Sequence, residues 1–183
     1  MGKLYEAITP DLRAWLAQQQ MFFVASAPLA SDGLVNCSPK GMDTFRVLGP
    51  TRVAYLDLTG SGIETLAHLR ENGRLVFMFC AFSGPPKIVR LHAKGNVVTP
   101  DSAEWKALYD AFPDYPGARA IIHAEVTRIS DSCGYAVPKY AFVETRDTLL
   151  DLSLKKGEAG LQAYRNDKNA LSIDGMPGLA PKP

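Results

Sequence analysis

Between Thr9 and Gln20 the apolar residues Leu12, Trp15 and Leu16 recur at helical spacing; from Met21 onward the spacing becomes that of strands. Thr9-Pro10-Asp11 supplies the helix start: a hydroxyl to cap free amides, a proline whose missing N–H is harmless in the first turn, and a carboxylate near the positive end. MFFVASA and LVNCS flank Ser31-Asp32-Gly33 and predict a hairpin. FRVLG and RVAYLDL, parted by Gly49-Pro50, predict a second. IETLAHLREN then predicts a helix closed by Gly73, the residue type best able to take a left-handed C-cap.

RLVFMFCAF is almost continuously apolar, which predicts a strand buried on both faces, and Ser83-Gly84-Pro85-Pro86 breaks it. KIVRLHAKGNVV alternates, with Val89, Leu91, Ala93 and Val97 on one face and Arg90, His92 and Lys94 on the other. Asp101 opens a helix through Tyr109, AIIHAEVTRIS predicts a further alternating strand, and KYAFVET a last one. DTLLDLSLKKGEAGLQAYRN reads as a helix broken at Gly157 or Gly160, followed by the irregular SIDGMPGLAPKP. Short strands at close spacing with few helices predict a mainly β (α+β) fold, a closed or partly closed antiparallel barrel rather than a doubly wound sheet.

Composition narrows the function classes. The 183 residues suit one compact domain with a terminal extension, and 46% hydrophobic residues supply its core. Twenty basic against nineteen acidic residues give a net charge of +1, which does not suggest nucleic-acid binding. No apolar run reaches the roughly 18 residues of a membrane span, and the N-terminus lacks a signal-like stretch, so a cytoplasmic protein is expected. Three cysteines without CxxC spacing argue against a disulfide framework or zinc site.

Three places carry candidate chemistry. Thr59-Gly60-Ser61-Gly62 stands at a strand-to-helix junction, where small residues let a ligand approach and the helix offers free N–H groups, a setting that suits a phosphate and equally an ordinary helix cap. It is neither a Walker loop nor GxGxxG. Ser38-Pro39-Lys40-Gly41 ends the second predicted strand, with a proline expected to stop pairing and a lysine able to reach an anion. Arg90, His92 and Lys94 form the third, a basic strand face. HExxH, GxSxG and His/Cys clusters are missing, so no metal is expected and no residue stands out as catalytic.

In this order, FFVASAPLASDGLVNCSPKG, FRVLGPTRVAYLDLTGSGIETLAHLRENGRLVFMF and KIVRLHAKGNVV resemble the pyridoxamine 5′-phosphate oxidase-related proteins, over about residues 10 to 130. The resemblance implies a six-stranded antiparallel split barrel (residues 1–130) with peripheral helices, and a C-terminal helical and irregular extension (131–183) packing on the barrel or on a dimer partner. It implies a homodimer holding FMN at the subunit interface, with a small-molecule substrate. Ser38, Lys40 and Gly41 would meet the flavin ring or ribityl chain. Tyr55, Asp57, Thr59, Gly60, Ser61 and Gly62 would approach the ribityl and phosphate, and Arg90 would add charge.

Two departures bear on the reaction. Ser61-Gly62-Ile63 stands where the authentic oxidase carries an Arg-Lys pair for the phosphate, so phosphate binding would rest on amides, hydroxyls and Arg46, Lys40 or Arg90. No arginine follows Arg165, whereas the authentic enzyme ends in an arginine-bearing segment that holds its substrate, which argues against vitamin B6 phosphate here. The expectation is an FMN-dependent oxidoreductase; the alternatives on the same barrel are a non-catalytic flavin or haem binder or sensor, and a deazaflavin-dependent reductase.

Overall fold

The structure, a computed structural model, describes residues 2–179. Eight strands make one antiparallel sheet: β1 (Leu4–Tyr5), β2 (Met21–Ser26), β3 (Asn36–Gly41), β4 (Phe45–Val47), β5 (Arg52–Leu58), β6 (Arg74–Cys80), β7 (Ile88–Val98) and β8 (Ala118–Ser132). Their order is β3-β2-β6-β7-β8-β5-β4, with β1 added on β8. Six strands are of substantial length, as expected for the split barrel, and β1 and β4 are short additions. β8 pairs with β7 on one side and β5 on the other, with a register shift in each ladder that helps the sheet curl into a half-barrel. The path ends at β3 and β4, and this is where the barrel is split.

Inside the curl, Phe22, Val24, Tyr55, Phe77, Phe79, Leu91 and Ile122 form one core with Leu12 and Leu16 of α1 (Pro10–Ala17) and Leu66 and Leu69 of α2 (Glu64–Asn72). Thr9 caps α1 by accepting from the Leu12 amide, and Gly73 ends α2 in the left-handed conformation at φ 70°, where a Cβ would also press on the Gly95 carbonyl. A smaller cluster joins Ala54, Leu56 and Ile121 on the other side of the sheet to Trp105 and Tyr109 of α3 (Trp105–Tyr109).

Three local expectations change. β6 is buried on one face only: Leu75, Phe77 and Phe79 face the core while Val76 and Met78 stay half-exposed. Pro39 does not stop pairing; β3 continues to Gly41 against β2, and as an edge strand it needs no outward N–H from that proline. KYAFVET forms no strand: 137–147 is an exposed coil, tied down by the Tyr140 amide on the Phe82 carbonyl and the packing of their rings. β8 runs through Ser132, so the predicted division at 130/131 falls inside it. The predicted break at Gly157 is found as a kink (φ 61°, ψ 176°) inside α4 (Thr148–Lys168). The end of the predicted extension, 180–183, lies outside the described residues. Among the described residues no helix is long and apolar enough to cross a membrane.

Candidate functional site

A cleft of about 230 Å³ opens between β3, the end of β5 and the start of α2. Ser38, Lys40, Gly41, Asp57, Gly60 and Gly62, all expected on sequence grounds, line it, and so do Thr44, Glu64, Thr65 and Arg119. Tyr55 lies behind it in the core, fully buried. Thr59 is buried too, its hydroxyl donating to the Gly117 carbonyl at 2.7 Å and accepting from Arg165 at 2.9 Å. Ser61 is exposed beside the cleft. Arg90 stands elsewhere, on the outer face of β7, where it bonds Ser132 at 3.1 Å and neighbours Met78 across the ladder.

The electrostatic centre is Asp57, 1% exposed at the end of β5. One carboxylate oxygen accepts from Lys40 Nζ at 3.0 Å and the other from Arg119 Nε at 2.6 Å. Burial alone would raise the Asp57 carboxyl; Arg119 and then Lys40 outweigh that and hold it below its ordinary value, so the carboxylate stays charged. Burial, reinforced by Asp57, pushes the Tyr55 phenol well above its usual range and keeps it protonated. Its hydroxyl meets no hydrogen-bond partner, while Lys40 Nζ lies 5.6 Å from its ring centre.

Arg119 also fixes the glycine loop. Its guanidinium donates to the carbonyls of Gly60 at 3.1 Å and Gly62 at 2.7 Å, and to Asn169 Oδ1 at 2.8 Å. Asn169, wholly buried just beyond α4, donates to the Gly60 carbonyl at 2.9 Å and the Ser61 carbonyl at 3.5 Å. The loop carbonyls are thereby drawn inward. The amides of Gly60, Ser61 and Gly62 have no acceptor among the described residues, and Ile63, at the N-cap of α2, supplies no side-chain cap. A Cβ on Gly60 would meet nothing within 4 Å. Free amides, an uncapped helix start and the open side of Gly60 make a place for an anion, while the Glu64 carboxylate stands over Gly62.

Polar side chains from β3 and α2 surround it. Asn36 donates to Thr65 Oγ1 at 2.9 Å and accepts from Ser38 Oγ at 2.9 Å. The Thr65 hydroxyl is itself buried and interacts with the Tyr55 phenol behind the cleft. Lys40 and Arg119 are balanced by Asp57 and by Glu64 in the first turn of α2, so an anion here is held by directed N–H groups rather than by excess positive charge. The loop amides suit a phosphate group, and Ser38, Lys40 and Gly41 line the remainder of the cleft. The histidines stand apart: His68 is buried on α2 with Nδ1 2.9 Å from Ser26 Oγ, His92 is exposed on β7, and His123 is half-buried on β8. None lines the cleft, and no group of three potential metal ligands occurs among the described residues.

Sequence reasoning missed Arg119 and Asn169. Arg119 gave one faint signal, a lone arginine leading the apolar run AIIHAEV; Asn169 gave none.

The family model described as "Pyridoxamine 5'-phosphate oxidase" matches residues 8–133. The "Pyridoxamine 5'-phosphate oxidase family protein ustO" of Aspergillus flavus is 36% identical over 198 aligned positions, covering 98% of this chain and 78% of that protein. Among solved structures, HupZ of Group A Streptococcus superposes with a TM-score of 0.55 at 18% identity, over 73% of this chain and 99% of that one, a likeness of fold.

Proposed function

Because the chain belongs to the pyridoxamine 5′-phosphate oxidase family, we propose that it is a dimeric, FMN-dependent oxidoreductase acting on a small molecule in the cytoplasm. The observation that carries the reading is the glycine loop, whose carbonyls are tied inward by Arg119 and Asn169 and whose amides are left free beside the start of α2.

FMN, when bound, supplies hydride or electron transfer at its ring. The amides of Gly60 to Gly62 would hold its phosphate. Lys40 would offer a positive group for negative charge gathering in the cleft, since its ammonium is the partly exposed member of the Asp57 pair of contacts, at 24% against 3% for Arg119. Asp57 anchors that ammonium through a buried carboxylate that Arg119 keeps ionised. The outer face of β2 and β6, where Phe23 and Met78 pair across the ladder and stay half-exposed, supports assembly with a second copy. With Ser61-Gly62-Ile63 where the authentic oxidase carries its Arg-Lys pair and Glu64 at the loop, vitamin B6 phosphate is not the proposed substrate.

The test is an absorbance spectrum of the freshly purified protein, with release and identification of any chromophore. Bands near ~450 nm and released FMN are expected. Colourless protein that takes up no added FMN overturns the reading, a Soret band replaces it with a haem site, and a released deazaflavin replaces the cofactor alone.

A further inference from the structure

The split of the barrel holds a second and larger cavity, about 600 Å³, that the flavin reading leaves unused. It lies between the end of α1, the β3–β4 connection and the start of α4. Its floor is aromatic. Phe22, Phe45 and Phe79 form a triangle with ring centres 5.1 Å (Phe22–Phe45), 5.0 Å (Phe45–Phe79) and 5.4 Å (Phe22–Phe79) apart. Phe22 and Phe79 are sealed in the core, whereas Phe45 is half-buried and faces the opening.

The rim is charged, and its charges differ in kind. Arg46 is fully engaged, with its guanidinium on both oxygens of Asp43 and on the Ala111 and Phe45 carbonyls. Arg13 donates to the Val47 carbonyl and forms no ion pair among the described residues. Asp147, which precedes α4, likewise forms none. One cation and one anion that form no ion pair among the described residues therefore line a single aromatic cavity from different elements.

Met42 ties this cavity to the flavin cleft. It lines both, and it is the one described non-glycine residue with positive φ, 62°. Such backbone costs a side-chain-bearing residue on the order of 1 kcal/mol and persists where its surroundings demand it, often at sites.

We propose that the barrel mouth binds an aromatic zwitterion of the amino-acid type, its ring against Phe45, its carboxylate toward Arg13 and its ammonium toward Asp147. A floor of rings offers offset and edge-to-face partners to another ring. A purely apolar ligand would leave both rim charges unanswered, and a dianion would face Asp147 with like charge. The volume is within the ordinary range for small-molecule sites and admits an indole as well as a phenyl ring. None of this depends on the flavin.

The test titrates the full chain, without added flavin, with tryptophan and with the half-ligands phenylpropionate and phenethylamine, reading melting temperature and heat of binding. Tryptophan should saturate and bind more tightly than either half-ligand. Arg13→Gln should weaken tryptophan and phenylpropionate about three- to fivefold and spare phenethylamine; Asp147→Asn should weaken tryptophan and phenethylamine by as much and spare phenylpropionate. Both side chains are exposed, so neither change threatens the fold. The proposal is overturned by absence of saturable tryptophan binding up to about 10 mM, by variants that bind like the parent, or by a half-ligand that matches tryptophan.

Discussion

Asn169 and Arg119 meet at 2.8 Å in a wholly buried contact, and between them they hold the carbonyls of Gly60, Ser61 and Gly62. The residue just past the last helix thus sets the loop that leads into α2. Asn169→Ala strips a buried acceptor from Arg119 and a buried donor from Gly60. A loss of about 1–3 kcal/mol in denaturant-monitored stability is expected, with weaker FMN binding in a fluorescence titration. Asn169→Asp keeps the acceptor but not the donor and should fall between. Truncation after Lys168 should weaken FMN binding as Asn169→Ala does, and unchanged affinity in both would show that the loop holds itself.

Gly60→Ala separates fold from ligand. A Cβ there meets no protein atom within 4 Å and the backbone is outside the left-handed region, so stability should hold or rise by up to about 1 kcal/mol. The new methyl group would stand at the cleft that the loop lines, and FMN affinity should drop. A variant that melts normally and binds FMN like the parent would move the phosphate away from this loop.

Asp57→Asn removes the negative centre between Lys40 and Arg119, leaving buried positive charge uncompensated at a cost of roughly 3–5 kcal/mol near neutral pH. The pH dependence has a definite sign. Because the folded carboxyl is held below its ordinary value of 3.8, its stabilisation is complete above that value and is lost as pH falls through the lower folded value. The gap between parent and Asp57→Asn, measured by denaturation from pH 7 down to pH 3, should therefore narrow only at the acid end.

His68 offers a second pH handle. Burial, partly opposed by Asp174, Glu64 and Glu71, lowers its value from 6.5, so the unfolded chain takes up the proton first. The stability it confers as a neutral ring is complete above 6.5 and declines as pH falls below it. The parent should lose more stability between pH 7 and 5 than His68→Gln does. His92, whose value is also lowered, is exposed and common to both proteins, so its contribution cancels in the difference.

What could be read beforehand was what neighbours in sequence decide. The Thr9 cap, the Gly73 C-cap and the Gly157 break each depend on a few adjacent residues, and each is found. The ordered set of strand and loop segments pointed to the split barrel and placed six expected site residues on one cleft. Alternation along β7 grouped Arg90 with His92 but could not say that their face is the outer one, away from the cleft. Pro39 looked like a stop because a lone strand does not reveal whether it lies at a sheet edge. Arg119 and Asn169 were illegible for a similar reason: their partners are some 50 to 109 residues away, and only the closed fold brings them together.

That distance orders the chain's own birth. As the polypeptide leaves the ribosome, every strand of the barrel emerges before position 169, so the half-barrel can collapse while its glycine loop still lacks the amide that sets it. A chain cut short before Asn169 would be a barrel in search of its last stitch, and the setting of its loop would report that the polypeptide had grown past that residue.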